Sequence, residues 1–323
     1  VESRINQAPP IYRVKKKKNV KWKWLWIVLG VLVLCYLALF LLVTPARPAV
    51  PVFQGDAPLV IAHRGGAALA PENTLVAFDK ARSLGVDMIE FDVRMTKDGH
   101  LIVIHDDTLD RTTNGKGEVS ELTLAEIKEY DAAYRFSDVR KRYIYRGQGV
   151  KVPTVEEVFQ KFGDTRMSIE IKEPLKDKED PDIEQKLWSL IEQYQMQDKV
   201  VISSFSDQIL ARFLEHSGGK VAMSASKQEL QSFVFYHKLF LNRLYRPNTD
   251  AFQLPSTHGI FSLDDKRLIN GAKRLNMAII YWTINEEEEM RKLLERGASG
   301  IITDRPDLLI RVIKEMEDRH ETN

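Results

Sequence analysis

The chain has 323 residues, 44% of them hydrophobic and 29% charged, with a formal net charge of +1 and one cysteine. That length holds two ordinary domains or one α/β barrel of roughly 250 residues, and because the lone Cys35 lies in an apolar run, disulfide scaffolding and thiol chemistry are excluded elsewhere. Residues 1–26 hold eight Lys/Arg against Glu2, which leaves 39 basic and 45 acidic residues in the remainder, a mildly acidic body that argues against nucleic acid as a partner.

Residues 1–23 read as a basic cytoplasmic tail, and Pro9-Pro10 with little periodicity over 1–20 predicts disorder there. Residues 24–43 form an uncharged apolar run of the roughly 20 residues that span a bilayer, with Trp22, Trp24 and Trp26 where an aromatic belt would sit. A secretory signal has a shorter apolar core of about 7–15 residues, and Thr44-Pro45-Ala46-Arg47-Pro48 is a poor cleavage site, so a retained transmembrane helix is expected. The lysine block before it predicts a single-pass protein of the cell membrane, N-terminus cytoplasmic and everything after Val43 extracellular. Those lysines also suit anionic inner-leaflet lipids. Residues 44–58, with four prolines, read as an extended spacer that lifts the body off the membrane.

From residue 59 strand-like and helix-like segments alternate. Strands are predicted over 59–63, 88–93, 167–172, 200–204, 220–224, 251–254, 278–284 and 300–303, with helices over 74–84, 181–194, 207–216, 264–275, 286–295 and 306–317. Eight strands in this order predict a (β/α)8 TIM barrel over 59–318. Residues 101–106 fit as a hairpin partner of the second strand, followed by a small polar insertion, 107–151, with one clear helix at 124–130. The aromatic and basic stretch 232–246 reads as the buried face of a barrel helix, or as a lid resting on lipid headgroups.

Three of the apolar runs end in residues that packing does not require. Side chains alternate along a strand, so Glu90 and Asp92 share one face while Ile89, Phe91 and Val93 share the other. Adjacent carboxylates repel; a divalent cation relieves that, and oxygen-only ligands suit Ca²⁺, Mg²⁺ or Mn²⁺. Glu170 repeats the device beside Lys172. His63 and His105 end their strands, each with a near-neutral titration suited to proton transfer, and Arg64 and Lys172 are cations suited to phosphoryl oxygens. The competing account is a structural ion-pair network of these carboxylates with Arg94 and Lys172. Asn73 or Thr74 reads equally as a helix N-cap, and so does Asp304. His100, His216, His237, His258 and His320 lack a carboxylate at ligand spacing and are left out. No Gly-x-Gly-x-x-Gly or Gly-Lys-Ser/Thr element follows a strand, which sets nucleotide-binding folds aside.

His63-Arg64-Gly65, Pro71-Glu72-Asn73-Thr74, Glu90-x-Asp92, His105-Asp106 and Glu170-x-Lys172, in this order, resemble the glycerophosphodiester phosphodiesterase family over residues 59–312. The resemblance implies a TIM barrel that hydrolyses glycerophosphodiesters to sn-glycerol 3-phosphate and an alcohol. It implies a catalytic pair in His63 and His105, and a divalent cation (Ca²⁺ or Mg²⁺) on Glu90, Asp92 and Glu170. It also implies phosphate or substrate contacts from Arg64, Lys172 and Trp282, the last against the glycerol or the leaving group. Water or the substrate's own glycerol hydroxyl serves as nucleophile within the family. Alternatives are a lysophospholipase D-like activity on lysophospholipids, attack on a polyglycerolphosphate polymer, and a non-catalytic membrane-bound binding protein.

Overall fold

The computed structural model describes residues 20–39, 41–42, 44–55, 58–174, 182–259 and 261–321. The expected disordered tail lies almost wholly outside them. They fall into two units, 1–43 and 44–323.

The first unit contains α1 (Val20–Leu39), whose stretch Trp22–Leu39 has a mean hydropathy of 2.0. At about 1.5 Å per residue such a helix is long enough to cross a hydrocarbon core. It starts before the expected Trp24, and Phe40 and Val43 lie outside the described residues.

The second unit runs β1 (Leu59–Ala62), α2 (Leu75–Leu84), β2 (Met88–Met95), β3 (Leu101–Val103), α3 (Leu124–Glu129), α4 (Val155–Phe162), β4 (Arg166–Ile171), α5 (Ile183–Gln193), β5 (Val200–Ser203), α6 (Asp207–Ser217) and β6 (Ala222–Met223). It continues through α7 (Lys227–Lys238), β7 (Ala251–Leu254), β8 (Thr257–His258), β9 (Phe261–Ser262), α8 (Lys266–Lys273), β10 (Ala278–Tyr281), α9 (Glu287–Arg296), β11 (Gly300–Thr303) and α10 (Pro306–Glu321). Parallel strands pair in the order β6-β5-β4-β2-β1-β11-β10-β7, and a parallel bridge from Ser224 to Ala251 brings the two ends together. This is the predicted (β/α)8 barrel. β3 pairs antiparallel with β2, as the hairpin reading required.

Strand alternation builds both the core and the site. Ile61, Met88, Val201, Ala222, Ala251, Ala278, Ile280 and Ile302 form an apolar cluster inside the barrel. One step further along the same strand face stand Glu90, Asp92 and Glu170, with Glu90 beside Ser168 and Asp92 beside Glu170 in register. The opposite faces, Ile89, Phe91, Val93, Ile169 and Ile171, pack outward on Phe78, Val158, Phe162 and Leu187 of the helices. Burying each such side chain contributes about 1.5–3 kcal/mol.

Several boundaries and connections differ from expectation. The strand expected over 220–224 is only Ala222–Met223, because Gly218 and Gly219 both take positive φ and hold Lys220 in an exposed turn. The strand expected over 278–284 stops at Tyr281; Trp282 packs inside the barrel with Ile280, whereas Ile284 packs in the outer core. The helix expected from residue 181 is described from Ile183, Pro181 being outside the described residues. Helix α4 was not expected, although Thr154 and Glu157 form a complete capping box at its start. The stretch 232–246 begins inside α7: Phe233 is buried against Phe252 at 4.4 Å, while Phe235 and Phe240 are exposed. The insertion has a small core of its own, including Leu109, Val119, Ile127 and Ala133.

The expected spacer over 44–58 is corrected for residues 44–54. Thr44 N–H donates to Arg243 O and Arg47 N–H to Leu275 O. The Arg47 guanidinium reaches Asp250 Oδ1 at 2.9 Å, and Val52 is 1% exposed in the cluster inside the barrel. Proline-rich chain lacks amide donors, but here its apolar side chains and remaining amides find partners on the barrel.

Candidate active site

β1 gives way at Ala62 to a short 3-10 turn, His63–Gly65. Arg64 takes φ 50° and Gly65 φ 81°, and a Cβ on Gly65 would lie 2.7 Å from Phe78 Cδ1. Only glycine fits there, and the turn aims Arg64 N–H at Glu90 Oε2, 2.7 Å away. Gly65→Ala is therefore expected to destabilise the protein by about 2 kcal/mol or more in denaturant unfolding, from strain and overpacking together.

The carboxylate oxygens of Glu90, Asp92 and Glu170 lie within 4.8 Å of one another. Lys172 Nζ sits between two of them, 2.7 Å from Glu170 Oε1 and 3.0 Å from Asp92 Oδ1. Asp92 also accepts from Asn73 Nδ2 at 2.9 Å and has Arg64 Nε at 3.4 Å. Burial would raise the Asp92 pKa, but Lys172 and Arg64 outweigh it and hold it low. Burial raises Glu170 despite Lys172. Glu90 is pushed up to about 7, first by burial and then by the charge of Asp92. It is a buried carboxylate short of positive charge, in an all-oxygen donor set, which is what a hard divalent cation would fit.

The two histidines each rest on an aspartate. His63 Nδ1 is 2.6 Å from Asp304 Oδ1, and His105 Nδ1 is 2.7 Å from Asp106 Oδ1. Their surroundings drive them apart. Burial would lower His63, but the Asp304 hydrogen bond and the Glu90 charge carry it above the usual 6.5. Burial lowers His105, and Asp92 and Asp106 do not make up the loss. Asp106 continues into Arg111 (2.6 Å), and Arg111 into Glu72 (2.7 Å), which also holds Arg64 Nη1 at 2.8 Å. This relay ties the insertion to the first turn, and it brings Asp106 down to about 2.

His63, Arg64, Glu90, His105, Glu170 and Lys172 face one cavity of about 570 Å³ at the C-terminal ends of the strands, where barrel sites are built. Phe205, Leu230, Val234, Leu263 and Trp282 add apolar surface to its lining. Trp282 meets Phe205 edge-on at 5.9 Å.

The model of the Glycerophosphoryl diester phosphodiesterase family matches residues 63–308. The chain belongs to this family. A glycerophosphodiester phosphodiesterase of Caldanaerobacter subterraneus subsp. tengcongensis is 36% identical over 260 residues, covering 79% of this chain and 98% of its own. Another, from Bacillus subtilis (strain 168), is 32% identical over 307 residues, covering 89% and 98%. The crystal structure of a glycerophosphodiester phosphodiesterase from Agrobacterium tumefaciens str. C58 superimposes with a TM-score of 0.61 at 26% identity, covering 78% of this chain and 99% of that one. The enzyme class and the barrel expected from sequence both hold.

Within this member of the phosphodiesterase family, every residue singled out for the site reaches the cavity wall or its carboxylate cluster. Arg94, offered as part of a structural network, donates to the carbonyls of His105 and Glu173. Thr74 is the N-cap of α2, whereas Asn73 turns its amide to Asp92. Asp106, Arg111 and Glu72 escaped notice as partners. His258, set aside, stands at the cavity edge; His237 is buried against Asp265 and Arg267, away from it. Asp304 was indistinguishable from a cap, yet its two oxygens go to His63 and Asn285.

Proposed function

We propose that this chain is a divalent-cation-dependent phosphodiesterase that cleaves glycerophosphodiesters to sn-glycerol 3-phosphate and an alcohol, with His63 and His105 moving the protons. The observation that carries the reading is the convergence of His63, His105, Glu90, Glu170, Arg64 and Lys172 on one cavity, with Asp92 completing the carboxylate cluster. Glu90, Asp92 and Glu170 would hold the cation, Ca²⁺ or Mg²⁺. When bound, it supplies charge neutralisation and polarisation at the phosphoryl group. Arg64 and Lys172 add positive charge for the phosphoryl oxygens, Arg64 through a fork already braced by Glu72. Trp282 gives the glycerol or the leaving group a flat apolar surface.

The test uses the full chain in detergent. Glycerol 3-phosphate release from glycerophosphocholine is expected to vanish with chelator and to return with Ca²⁺ or Mg²⁺. Release that ignores exhaustive chelation would remove the cation from the reading.

A second reading, lysophospholipids as substrates, draws on the apolar lining of Phe205, Leu230, Val234 and Leu263. Phe205 is 51% exposed there, as a contact for an acyl chain would be. Faster turnover of lysophosphatidylcholine than of glycerophosphocholine would favour it.

The proposal extends to organisation. α1 serves as a single-pass cell-membrane anchor with the basic tail in the cytoplasm, and residues 59–318 form the catalytic domain outside. Protease shaving of intact cells should release that domain; protection would reverse the topology.

A further inference from the structure

We propose that Asp304 and Asn285 are positioning residues that fix the tautomer of His63, leaving Nε2 as the nitrogen that exchanges a proton with substrate. The inference rests on His63 being one of the two proton-transfer groups. Its content is a chain of hydrogen bonds whose every direction is determined.

The chain begins in the backbone. Arg305 N–H donates to Thr303 Oγ1 at 3.0 Å. Thr303 is fully buried, and its own hydroxyl proton goes to Asn285 Oδ1, also at 3.0 Å. The same Asn285 oxygen takes Asp304 N–H at 2.9 Å. Two donors thus pin the Asn285 carbonyl, because turning the amide over would set N–H against N–H. Its Nδ2 therefore points at Asp304 Oδ2, at 2.8 Å. The other oxygen, Oδ1, is 2.6 Å from His63 Nδ1. An ionised carboxylate only accepts, so Nδ1 carries the hydrogen and Nε2 is left toward the cavity. Burial disfavours the Asp304 charge, but its bond with His63 keeps the group ionised at a pKa below the usual carboxylate range.

Asparagine at position 304 would invert this order. Asn285 offers only N–H, so the new amide must present its oxygen there and its own N–H to His63 Nδ1. The imidazole is then forced to carry its proton on Nε2 and cannot become imidazolium. Proton transfer through Nε2 fails in either direction, whether His63 donates or accepts.

Asp304→Asn is expected to lower kcat by about 10³-fold, with KM changed by less than about threefold. Asp304→Ala, which lets water receive the Nδ1 proton, should lose less, roughly 10–100-fold. The discriminating variant is the double one. Asn285→Ala alone lowers kcat, yet in the Asp304→Asn background it should raise kcat, because the amide is then free to turn its oxygen to His63. A misfolded protein cannot produce that rescue. At a pH high enough to leave His63 neutral, long-range ¹H–¹⁵N spectra of ¹⁵N-histidine-labelled full chain in detergent should give it the Nδ1–H tautomer, switched to Nε2–H by Asp304→Asn. If Asp304→Asn keeps the wild-type kcat, or if Asn285→Ala only deepens its loss, the positioning role is overturned. If His63→Ala itself retains wild-type kcat, the catalytic assignment fails instead, and the tautomer spectrum still reports on the hydrogen-bond chain.

Discussion

His63→Ala and His105→Ala are each expected to lower kcat on glycerophosphocholine by about 10²–10⁴-fold, the range a positioned proton donor or acceptor supplies. The two losses should differ in kind. His63, facing Asp304, Glu90 and Arg64, is held above the usual imidazole pKa; His105, facing Asp92, Asp106, Arg64 and Lys172, is held below it. Between the two values His63 carries its proton and His105 does not. Under the proposed function, His63 would then protonate the leaving alkoxide and His105 would take the proton of the attacking hydroxyl. Activity should then fall at low pH as His105 becomes charged, and at high pH as His63 loses its proton. A kcat/KM profile without both limbs would discard the two-histidine assignment. Leaving-group chemistry separates the roles. A nitrophenyl glycerophosphodiester departs without needing a proton, so His63→Ala should keep most of the wild-type rate on it, whereas His105→Ala should not. Equal losses on both substrates would reverse or merge the two roles.

The barrel and the carboxylate cluster were legible because a short-range rule generates both. Two-residue alternation along 88–93 places Glu90 and Asp92 on the inner face whatever the rest of the chain does. What escaped depends on partners far away in sequence. Asp304 meets His63 across 241 positions, and Arg47 meets Asp250 across 203. From local sequence, an aspartate before a helix is a cap and a proline-rich run is a spacer. Arg111 lies in a polar insertion, where an arginine looks like any solvated side chain, and only the fold brings it to Asp106 and Glu72. Helix α4 is a different kind of omission, since its capping box is visible in Thr154 and Glu157.

Glu90→Gln should weaken cation affinity by roughly 100-fold or more, with a comparable loss of activity at limiting cation. It should at the same time stabilise the metal-free protein at alkaline pH. Glu90 is ordinary at 4.5 when unfolded and is pushed up to about 7 in the fold, by burial and then by Asp92. Between these values the folded chain binds the extra proton, so stability falls as pH rises through the window. The cost reaches on the order of 3 kcal/mol above pH 7, or roughly 5–10 °C in Tm for a domain of this size. A glutamine keeps the shape and never ionises, so the difference between wild type and Glu90→Gln isolates this group from the histidines that titrate in the same range. Added Ca²⁺ or Mg²⁺ should restore wild-type Tm strongly at pH 8 and weakly at pH 5, because at pH 5 the cation must displace a proton from its ligand. Glu90→Gln should gain little at either pH. If metal-free wild type and Glu90→Gln melt in parallel from pH 5 to pH 8, Glu90 is compensated by some other charge and is not the principal ligand.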